Sequence, residues 1–207
     1  MEVLRHAIAG GDAEVTRRLK AAGAVLLGKL NMHEGALGMT TDNIHFGKCR
    51  NPWHTAATPG GSSGGSGAAV AAGLAAGALG SDNMGSIRIP SAFCGIAGLK
   101  PSNGLISTHG IVELSWSTGA VGPMARGVDG LAMLMAVLAG PDPRDPWSRR
   151  TPAALALTPP AAPELAGLKL GVPEDFACNP AVSFPPLTRP ASRLLSPRAS
   201  HARSTPD

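Results

Sequence analysis

The chain has 207 residues, 43% of them hydrophobic, which suffices for one sizeable globular domain. It contains only four Phe, three Trp and no Tyr, so close packing of the backbone must replace large side chains in the core. The net charge of +4 comes largely from four arginines after Ser183, so the rest of the chain is close to neutral and nucleic-acid binding is not expected. The first residues lack a secretory signal and no segment suits a membrane span, while three widely spaced cysteines favour reduced thiols in the cytoplasm.

The first predicted element is a helix that follows Asp12. Asp12 suits the N-cap, and Gly23 suits the position just beyond the last turn. Val15 and Leu19 lie one helical turn apart and give the helix an apolar face. The run Val-Leu-Leu at residues 25–27 then predicts a short buried strand.

The polar stretch from residue 39 to residue 53 contains Asn, Pro and Gly, which suit turns at the surface. His45 lies in this stretch and His54 follows it, but no second ligand follows either of them at a spacing typical of metal sites. We therefore expect no metal site. Lys29, just past the predicted strand, is interpreted as a solvated charge or a partner of a backbone carbonyl.

The centre of the chain, residues 59–101, holds two glycine loops that carry serines. The first, GGSSGGS at residues 60–66, can adopt positive φ and approach neighbouring groups closely. The second, SDNMGS, covers residues 81–86. The small residues from Ala68 to Leu79 predict a helix buried on every side, which would fix the two loops on either side of a rigid element.

Taken alone, the first loop could also be a flexible linker or a phosphate cradle. A linker would not be followed by a buried helix and a second serine loop, and a P-loop would end in Gly-Lys-Ser or Gly-Lys-Thr. Cys94 could compete with the serines as a nucleophile, but no nearby histidine activates it. Cys94 is therefore interpreted as a small core residue.

Beyond the loops, a strand is predicted at residues 104–107, an extended segment at residues 111–116 and a helix at residues 128–138. The helix carries a core stripe at i, i+3, i+4 and i+7, formed by Leu131, Leu134, Met135 and Leu138. Residues 168–173 predict a further strand. From residue 183 to residue 207, Pro, Ser and Arg follow without helical or alternating period, which indicates a disordered or frame-shifted tail.

Three motifs of the central stretch resemble the core of the amidase signature family of C–N hydrolases. They are the GGSSGGS loop, the Gly-Ser-Asp-x-x-Gly-Ser-Ile-Arg-x-Pro block and the Phe-Cys-Gly sequence at residues 93–95. The family's two serines lie 24 residues apart, as Ser62 and Ser86 do. The resemblance implies that Ser86 is the nucleophile, that Ser62 follows a cis peptide bond and relays the proton of Ser86, and that a lysine elsewhere is the terminal base.

A serine hydroxyl needs such partners because it is a poor nucleophile near neutral pH. A lysine accepts the proton only in its neutral form, which burial favours by lowering the lysine pKa. The resemblance further implies an oxyanion hole made of backbone N–H groups, which here belong to Asn83, Met84, Gly85 and Ser86.

The implied fold is α/β, with a mixed central sheet flanked by helices, as an incomplete amidase signature domain over residues 1–182. The implied activity is hydrolysis of a small-molecule carboxylic acid amide to acid and ammonia or an amine through an acyl-enzyme on Ser86, without a cofactor. The alternatives are an amidase subunit of a tRNA-dependent amidotransferase and a non-catalytic remnant or binding module. His33 and residues 111–116 favour a stand-alone amidase. No nucleic-acid or membrane partner is expected, and the oligomeric state stays open.

The sequence also departs from the family. The family's catalytic lysine lies upstream of the first helix in a Lys-Asp motif, which no lysine of the chain matches: Lys20, Lys29, Lys48, Lys100 or Lys169. We therefore expect a piece that is truncated at both ends and lacks its general base. Met84 stands where the family has glycine and Gly119 where it commonly has aspartate, so changes are expected in the oxyanion loop and in one structural hydrogen bond.

Overall fold

The computed structural model describes residues 6–148, which contain four α-helices, a short 3-10 helix (Glu34–Ala36) and five strands. The helices are α1 (Glu14–Ala21), α2 (Gly64–Ala71), α3 (Arg88–Cys94) and α4 (Val128–Leu138). The strands are β1 (Asp42–Asn43), β2 (Gly47–Lys48), β3 (Gly77–Asp82), β4 (Ala97–Gly98) and β5 (Ala120–Ala125). The predicted strand at residues 168–173, the tail and the predicted domain boundary at residue 182 lie outside the described residues.

The central sheet of the described part has three antiparallel strands in the order β3-β5-β4, and β1 and β2 form a separate antiparallel pair. In the central sheet Asp82 lies opposite Ala120, and all six residues of β5 are buried. Sequence reasoning missed β5 because Gly122 and Pro123 at its centre usually argue against a central strand. The sheet with its surrounding helices confirms the predicted α/β class.

The first helix forms as predicted, but the residue at its N-cap and the segment that follows it differ from the prediction. Helix α1 begins one residue later than an Asp12 cap requires, and the Asp12 carboxylate instead accepts a hydrogen bond from Lys20 at 2.7 Å. Gly23, with a φ of +84°, follows the end of the helix as expected. The predicted strand at residues 25–27 is wrong: Val25 is 84% exposed. No described strand lies beside this apolar run, so it has no partner for a ladder.

The small-residue segment between the serine loops forms a helix and a strand rather than one helix. Helix α2 begins inside the first glycine loop and ends before Gly73, which has a φ of +72°. Residues 77–82 then form β3 against β5. Ala and Gly give no clear period, so the sequence could not separate the two elements. The expected close packing is present, since a Cβ on Gly67 of α2 would lie 3.1 Å from the Pro90 carbonyl oxygen.

Helix α4 confirms the predicted bounds and the predicted core stripe. Its inward residues pack with side chains from α1, β5 and the loop after β4; the buried members of this cluster are Val15, Ile106, Val121, Met135 and Leu138. The strand predicted at residues 104–107 does not form: Gly104 lies in a turn with a φ of +80°, and Ile106 makes only an isolated bridge with Ala139. No helix within the described range is long and apolar enough to cross a membrane.

Buried Glu14 of α1 lies at the centre of a charged network. Its carboxylate accepts hydrogen bonds from Arg17 and Arg18 on the same helix and from Arg144 in the loop after α4. These bonds, that from Arg17 most of all, lower the pKa of Glu14 from 4.5 to about 2. Burial alone would raise this pKa, but the three arginines outweigh it. Arg144 also binds buried Asp142 and holds the pKa of that carboxyl well below its usual range.

Acid is expected to destabilise the fold through this network. The folded-state pKa of Glu14 lies below its unfolded value, so its contribution is complete above about pH 4.5 and is lost as the pH falls toward 2. We expect the melting temperature to drop by several degrees over this range, and Glu14→Gln to melt lower at neutral pH with a shallower pH profile. Asp12→Asn, which removes a more exposed carboxylate paired with Lys20, is the control and should keep the parent's profile. Equal profiles for the parent and Glu14→Gln would contradict this role of Glu14.

Candidate active site

Ser62 lies in the first glycine loop, directly before α2. The peptide bond between Gly61 and Ser62 is cis, as the family resemblance implies. The Ser62 side chain is fully buried, and its Oγ has no hydrogen-bond partner among residues 6–148. A buried hydroxyl without a partner costs about 1–3 kcal/mol, so such a group in a native structure calls for an explanation, and a catalytic role is one of those known.

The backbone of the Ser62 loop is held by the preceding part of the chain. The carbonyl oxygen of Ser62 accepts hydrogen bonds from the His33 N–H at 2.9 Å and from the Thr41 hydroxyl at 3.2 Å. Gly60 has a φ of +84°, and a Cβ there would lie 2.9 Å from the Cα of Pro90. Glycine is therefore required at position 60 both for its conformation and for the close approach of α3.

Ser86 lies on the loop that leaves β3, and Asp82 gives this loop its shape. The Asp82 carboxylate is fully buried and accepts hydrogen bonds from the N–H groups of Gly85 at 2.6 Å and Ile87 at 3.1 Å. The Arg88 guanidinium donates to both carboxylate oxygens, at 3.0 and 3.1 Å. Burial raises the pKa of Asp82, but the bonds from Arg88 and the backbone outweigh it and leave the pKa below its usual value. The loop therefore closes around an ionised carboxylate.

The residues expected to form the oxyanion hole are not equivalent. The Gly85 N–H already donates to Asp82, whereas those of Asn83, Met84 and Ser86 make no hydrogen bond within the described range. The positive φ of the loop falls on Gly85, at +132°, not on Met84. The Met84 side chain is 91% exposed, so the loop accepts it in place of the family's glycine.

Ser63 connects the two serine loops. Its N–H donates to the Ser86 carbonyl oxygen at 3.1 Å, so the neighbour of Ser62 contacts the backbone of Ser86 directly. Its Oγ accepts a hydrogen bond from the Ser81 N–H at 3.2 Å, at the end of β3. The structure thus brings the two loops together.

Gly119 also lies beside the oxyanion loop. A Cβ at this position would lie 3.0 Å from Asn83 Oδ1 and 2.5 Å from the Ser115 carbonyl oxygen. The Asn83 side chain, which accepts a hydrogen bond from Thr118 at 3.3 Å, therefore occupies the space that an aspartate at position 119 would enter. The backbone of Gly119 keeps hydrogen bonds with Ser115 and Asn103.

A cavity of about 450 Å³ opens beside Ser81 and Asn83 at the end of β3. Its polar lining comes from Lys29, Glu34, Asn43, His45 and Glu113. Neither Ser62 nor Ser86 lines it, so the cavity borders the oxyanion loop but not the two serines.

Cys94 is not a competing nucleophile. Its side chain is fully buried in α3, with Sγ 3.4 Å from the Pro59 carbonyl oxygen, and burial raises its pKa to about 11. Because the thiolate is the reactive form, this cysteine is unreactive near neutral pH, and its interpretation as a core residue is confirmed. Residues 6–148, including His45 and His54, contain no group of three His, Cys, Asp or Glu side chains that could hold a metal.

The described lysines do not complete the relay. Lys20 and Lys48 form exposed ion pairs with aspartates, and Lys29 is exposed beside the cavity. Since Ser62 Oγ has no hydrogen-bond partner, no lysine of the described range contacts it as a base. Lys169 lies outside that range.

Thr41 and Asp82 are supporting residues that sequence reasoning missed. Thr41 lies in the stretch assigned to surface turns, yet it is fully buried with a φ of +51°. No local pattern marks that burial. For Asp82 a signal was available, because an aspartate followed by glycine three residues later is typical of a side chain that binds the backbone of a turn.

The Amidase family profile matches residues 1–196 of the chain. The chain belongs to the amidase family. Among curated relatives, a glutamyl-tRNA(Gln) amidotransferase subunit of Moorella thermoacetica is 50% identical over 165 residues, which are 80% of this chain and 34% of that protein. The corresponding subunit of Symbiobacterium thermophilum is 49% identical over 175 residues, or 84% and 36%. The chain thus spans about a third of the length of these relatives.

Solved structures of the family agree with the fold. A peptide amidase from Stenotrophomonas maltophilia is 43% identical, with a TM-score of 0.67 over 71% of this chain and 31% of that one. The corresponding glutamyl-tRNA(Gln) amidotransferase subunit from Thermotoga maritima is 42% identical, with a TM-score of 0.69 over 70% of this chain and 32% of that one. The amidase signature fold implied by the serine motifs is confirmed.

Proposed function

We propose that Ser86 is the nucleophile of an amidase reaction in which a carboxylic acid amide is hydrolysed through an acyl-enzyme. The observation that carries this proposal is the buried Ser62 hydroxyl, which has no partner in the described range and lies next to the residue that binds the Ser86 backbone. A hydroxyl in this setting suits the transfer of a proton better than a structural role, because nothing in the described part of the fold uses its hydrogen-bonding capacity.

In the proposed reaction, Ser86 Oγ forms a bond with the carbonyl carbon of the amide and gives its proton to Ser62 Oγ. In the Ser-Ser-Lys triad that the family resemblance implies, Ser62 would pass its own proton to a lysine. No lysine of this chain matches that base, so we expect the fragment's own turnover to be impaired. The tetrahedral intermediate then breaks its C–N bond, and a proton returned along the relay leaves with ammonia or the amine. Water hydrolyses the acyl ester, releasing the acid and restoring Ser86.

The negative charge on the carbonyl oxygen would be stabilised by the N–H groups of Asn83, Met84 and Ser86, because Gly85 already donates to Asp82. Each such donor typically contributes about 100- to 1000-fold to the rate. The loop that carries these donors is held before substrate binds, since the Asp82 carboxylate at its start accepts hydrogen bonds from Gly85 within the loop and from Ile87 just after it.

A second candidate function is that of the glutamyl-tRNA(Gln) amidotransferase subunit named for the curated relatives. The family resemblance implies that such a subunit supplies the released ammonia to a partner protein. In this chain His33 replaces the aspartate that the subunit tends to have, and this favours a stand-alone amidase on small amides. Ser86-dependent consumption of glutamine in preference to simple amides, together with capture of the other amidotransferase subunits, would favour the second candidate.

We further propose that the protein is cytoplasmic. The free thiols of Cys49 and Cys94 support this location.

The nucleophile can be identified by covalent labelling. A fluorophosphonate probe forms a bond from its phosphorus to the attacking serine oxygen and loses fluoride, so mass spectrometry of the digested chain locates the nucleophile. We expect the adduct on Ser86 of the parent and none at this position in Ser86→Ala. Labelling should exceed that of surface serines, because an oxyanion hole accelerates reaction even when other triad members are missing. An adduct only on other serines, or none at all, would refute the assignment.

A further inference from the structure

Thr41 contacts the loop that carries Ser62 through one buried hydroxyl. Its Oγ1 lies 2.8 Å from the Gly60 carbonyl oxygen and 3.2 Å from that of Ser62. The same oxygen accepts a hydrogen bond from the Gly64 N–H at 3.0 Å. A single side chain therefore contacts the backbone before, at and after Ser62.

The fit around this hydroxyl is close. A Cβ on Gly64 would collide with Thr41 Oγ1, and one on Gly61 would lie 2.7 Å from the Gly38 carbonyl oxygen. The φ of Thr41, +51°, is uncommon for threonine and persists only where the surroundings hold the residue. Its carbonyl oxygen accepts a hydrogen bond from the Cys49 N–H at 3.1 Å, which fixes Thr41 from the other side.

We propose that Thr41 is a positioning residue for both serines of the site. Its one hydroxyl proton is shared between the carbonyl oxygens of Gly60, at 2.8 Å, and Ser62, at 3.2 Å, and its oxygen accepts a hydrogen bond from Gly64 at the start of α2. Ser63 lies between these two anchored residues and donates its N–H to Ser86, so a shift of the loop reaches both serines. This inference rests on the proposed function, because it assigns Thr41 a part in the same site.

Two substitutions distinguish the effect of the Thr41 hydroxyl from the effect of the side chain's branched shape. Thr41→Val keeps the branched side chain and removes the hydroxyl, whereas Thr41→Ser keeps the hydroxyl. We expect Thr41→Val to lower the maximal rate constant of fluorophosphonate labelling at Ser86 by about 10- to 100-fold, since small displacements of reacting groups have effects of this size. The probe concentration that gives half-maximal labelling should change little, and Thr41→Ser should label close to the parent's rate.

Backbone hydrogen exchange gives a readout that does not depend on the reaction. Loss of one hydrogen bond in Thr41→Val should raise the exchange rate of the Gly64 N–H by about tenfold. Thr58→Val is the matched control, because Thr58 Oγ1 also accepts a hydrogen bond from this loop, from the Gly60 N–H at 3.1 Å, but has no hydrogen bond with Ser62 or Gly64. It should keep both the labelling rate and the Gly64 exchange of the parent.

Labelling of Thr41→Val at the parent's rate would overturn the proposal, as would an equal loss in Thr41→Ser. If Thr41→Val does not fold, Thr41→Ala takes its place as the variant without the hydroxyl. A loss of labelling of about tenfold or more in Thr41→Ala that Thr41→Ser does not share supports the proposal, and labelling of Thr41→Ala at the parent's rate overturns it. A parent chain that is not labelled at Ser86 means that the proposed function fails. In that case unchanged Gly64 exchange in Thr41→Val overturns the inference separately, and faster exchange supports the positioning of the loop.

Discussion

The purified 207-residue chain is expected to release no more ammonia from simple aliphatic or aromatic amides than its own Ser86→Ala variant. No lysine of the chain matches the family's Lys-Asp motif, and no described lysine contacts Ser62. The general-base contribution, typically about 100- to 10,000-fold, should therefore be missing. Unactivated amides are poor electrophiles, so the N–H groups proposed for the oxyanion hole cannot alone make up this loss, whereas a fluorophosphonate, which is more reactive, is still expected to label the serine.

The measurement is ammonia release from a panel of amides by the parent, Ser86→Ala and Ser66→Ala. Ser66 is the matched control, because its hydroxyl donates to the Leu79 carbonyl oxygen at 2.8 Å and lies outside the relay. Ser66→Ala should resemble the parent in ammonia release and in labelling. Clear Ser86-dependent release would contradict the prediction and show that another group serves as base. Substituting Lys29 and Lys100 by methionine would then identify it.

Replacing Asp82 by asparagine is expected to damage the nucleophile loop more than any other conservative change near it. The carboxylate accepts hydrogen bonds from the Gly85 and Ile87 N–H groups and from Arg88. An amide at this position must present its NH₂ group to one of these donors, which leaves a donor unsatisfied at a cost of about 1–3 kcal/mol. Labelling of Ser86 should fall by about 10- to 100-fold, because the loop loses its fixed shape.

Labelling kinetics should be measured well below the melting temperature of each variant, so that a folding defect is not mistaken for a defect of the loop. Asp129→Asn, an exposed aspartate in the first turn of α4, is the control and should label like the parent. The melting temperature of Asp82→Asn should also fall. Labelling of Asp82→Asn at the parent's rate would show that the carboxylate does not shape the loop.

The sequence by itself determined the features that depend on local patterns. Helix α4 follows from an apolar stripe at helical spacing, and the end of α1 follows from Gly23. The serine motifs and their separation identified the family and the two serines proposed for the reaction. They also placed a cis bond before Ser62, which the structure contains. The helix signals are encoded within a few residues of each other. The serine motifs, although 24 residues apart, are linear sequence patterns that carry the family resemblance, and that resemblance implied the cis bond, so no tertiary contact is needed to recognise them.

Only the tertiary structure decided which segments find partners. Residues 25–27 have the composition of a buried strand but lie exposed, since no described strand pairs with them, whereas the glycine and proline of β5 lie at the centre of a sheet. The burial of Thr41 depends on residues 60–64, about twenty positions away. The orientation of Asp82 decides that the Gly85 N–H is already bonded, whereas the other N–H groups proposed for the oxyanion hole are not. Hydrogen bonds between distant parts of the chain leave no period in the sequence, and for that reason the serines could be predicted while the residues that hold them could not.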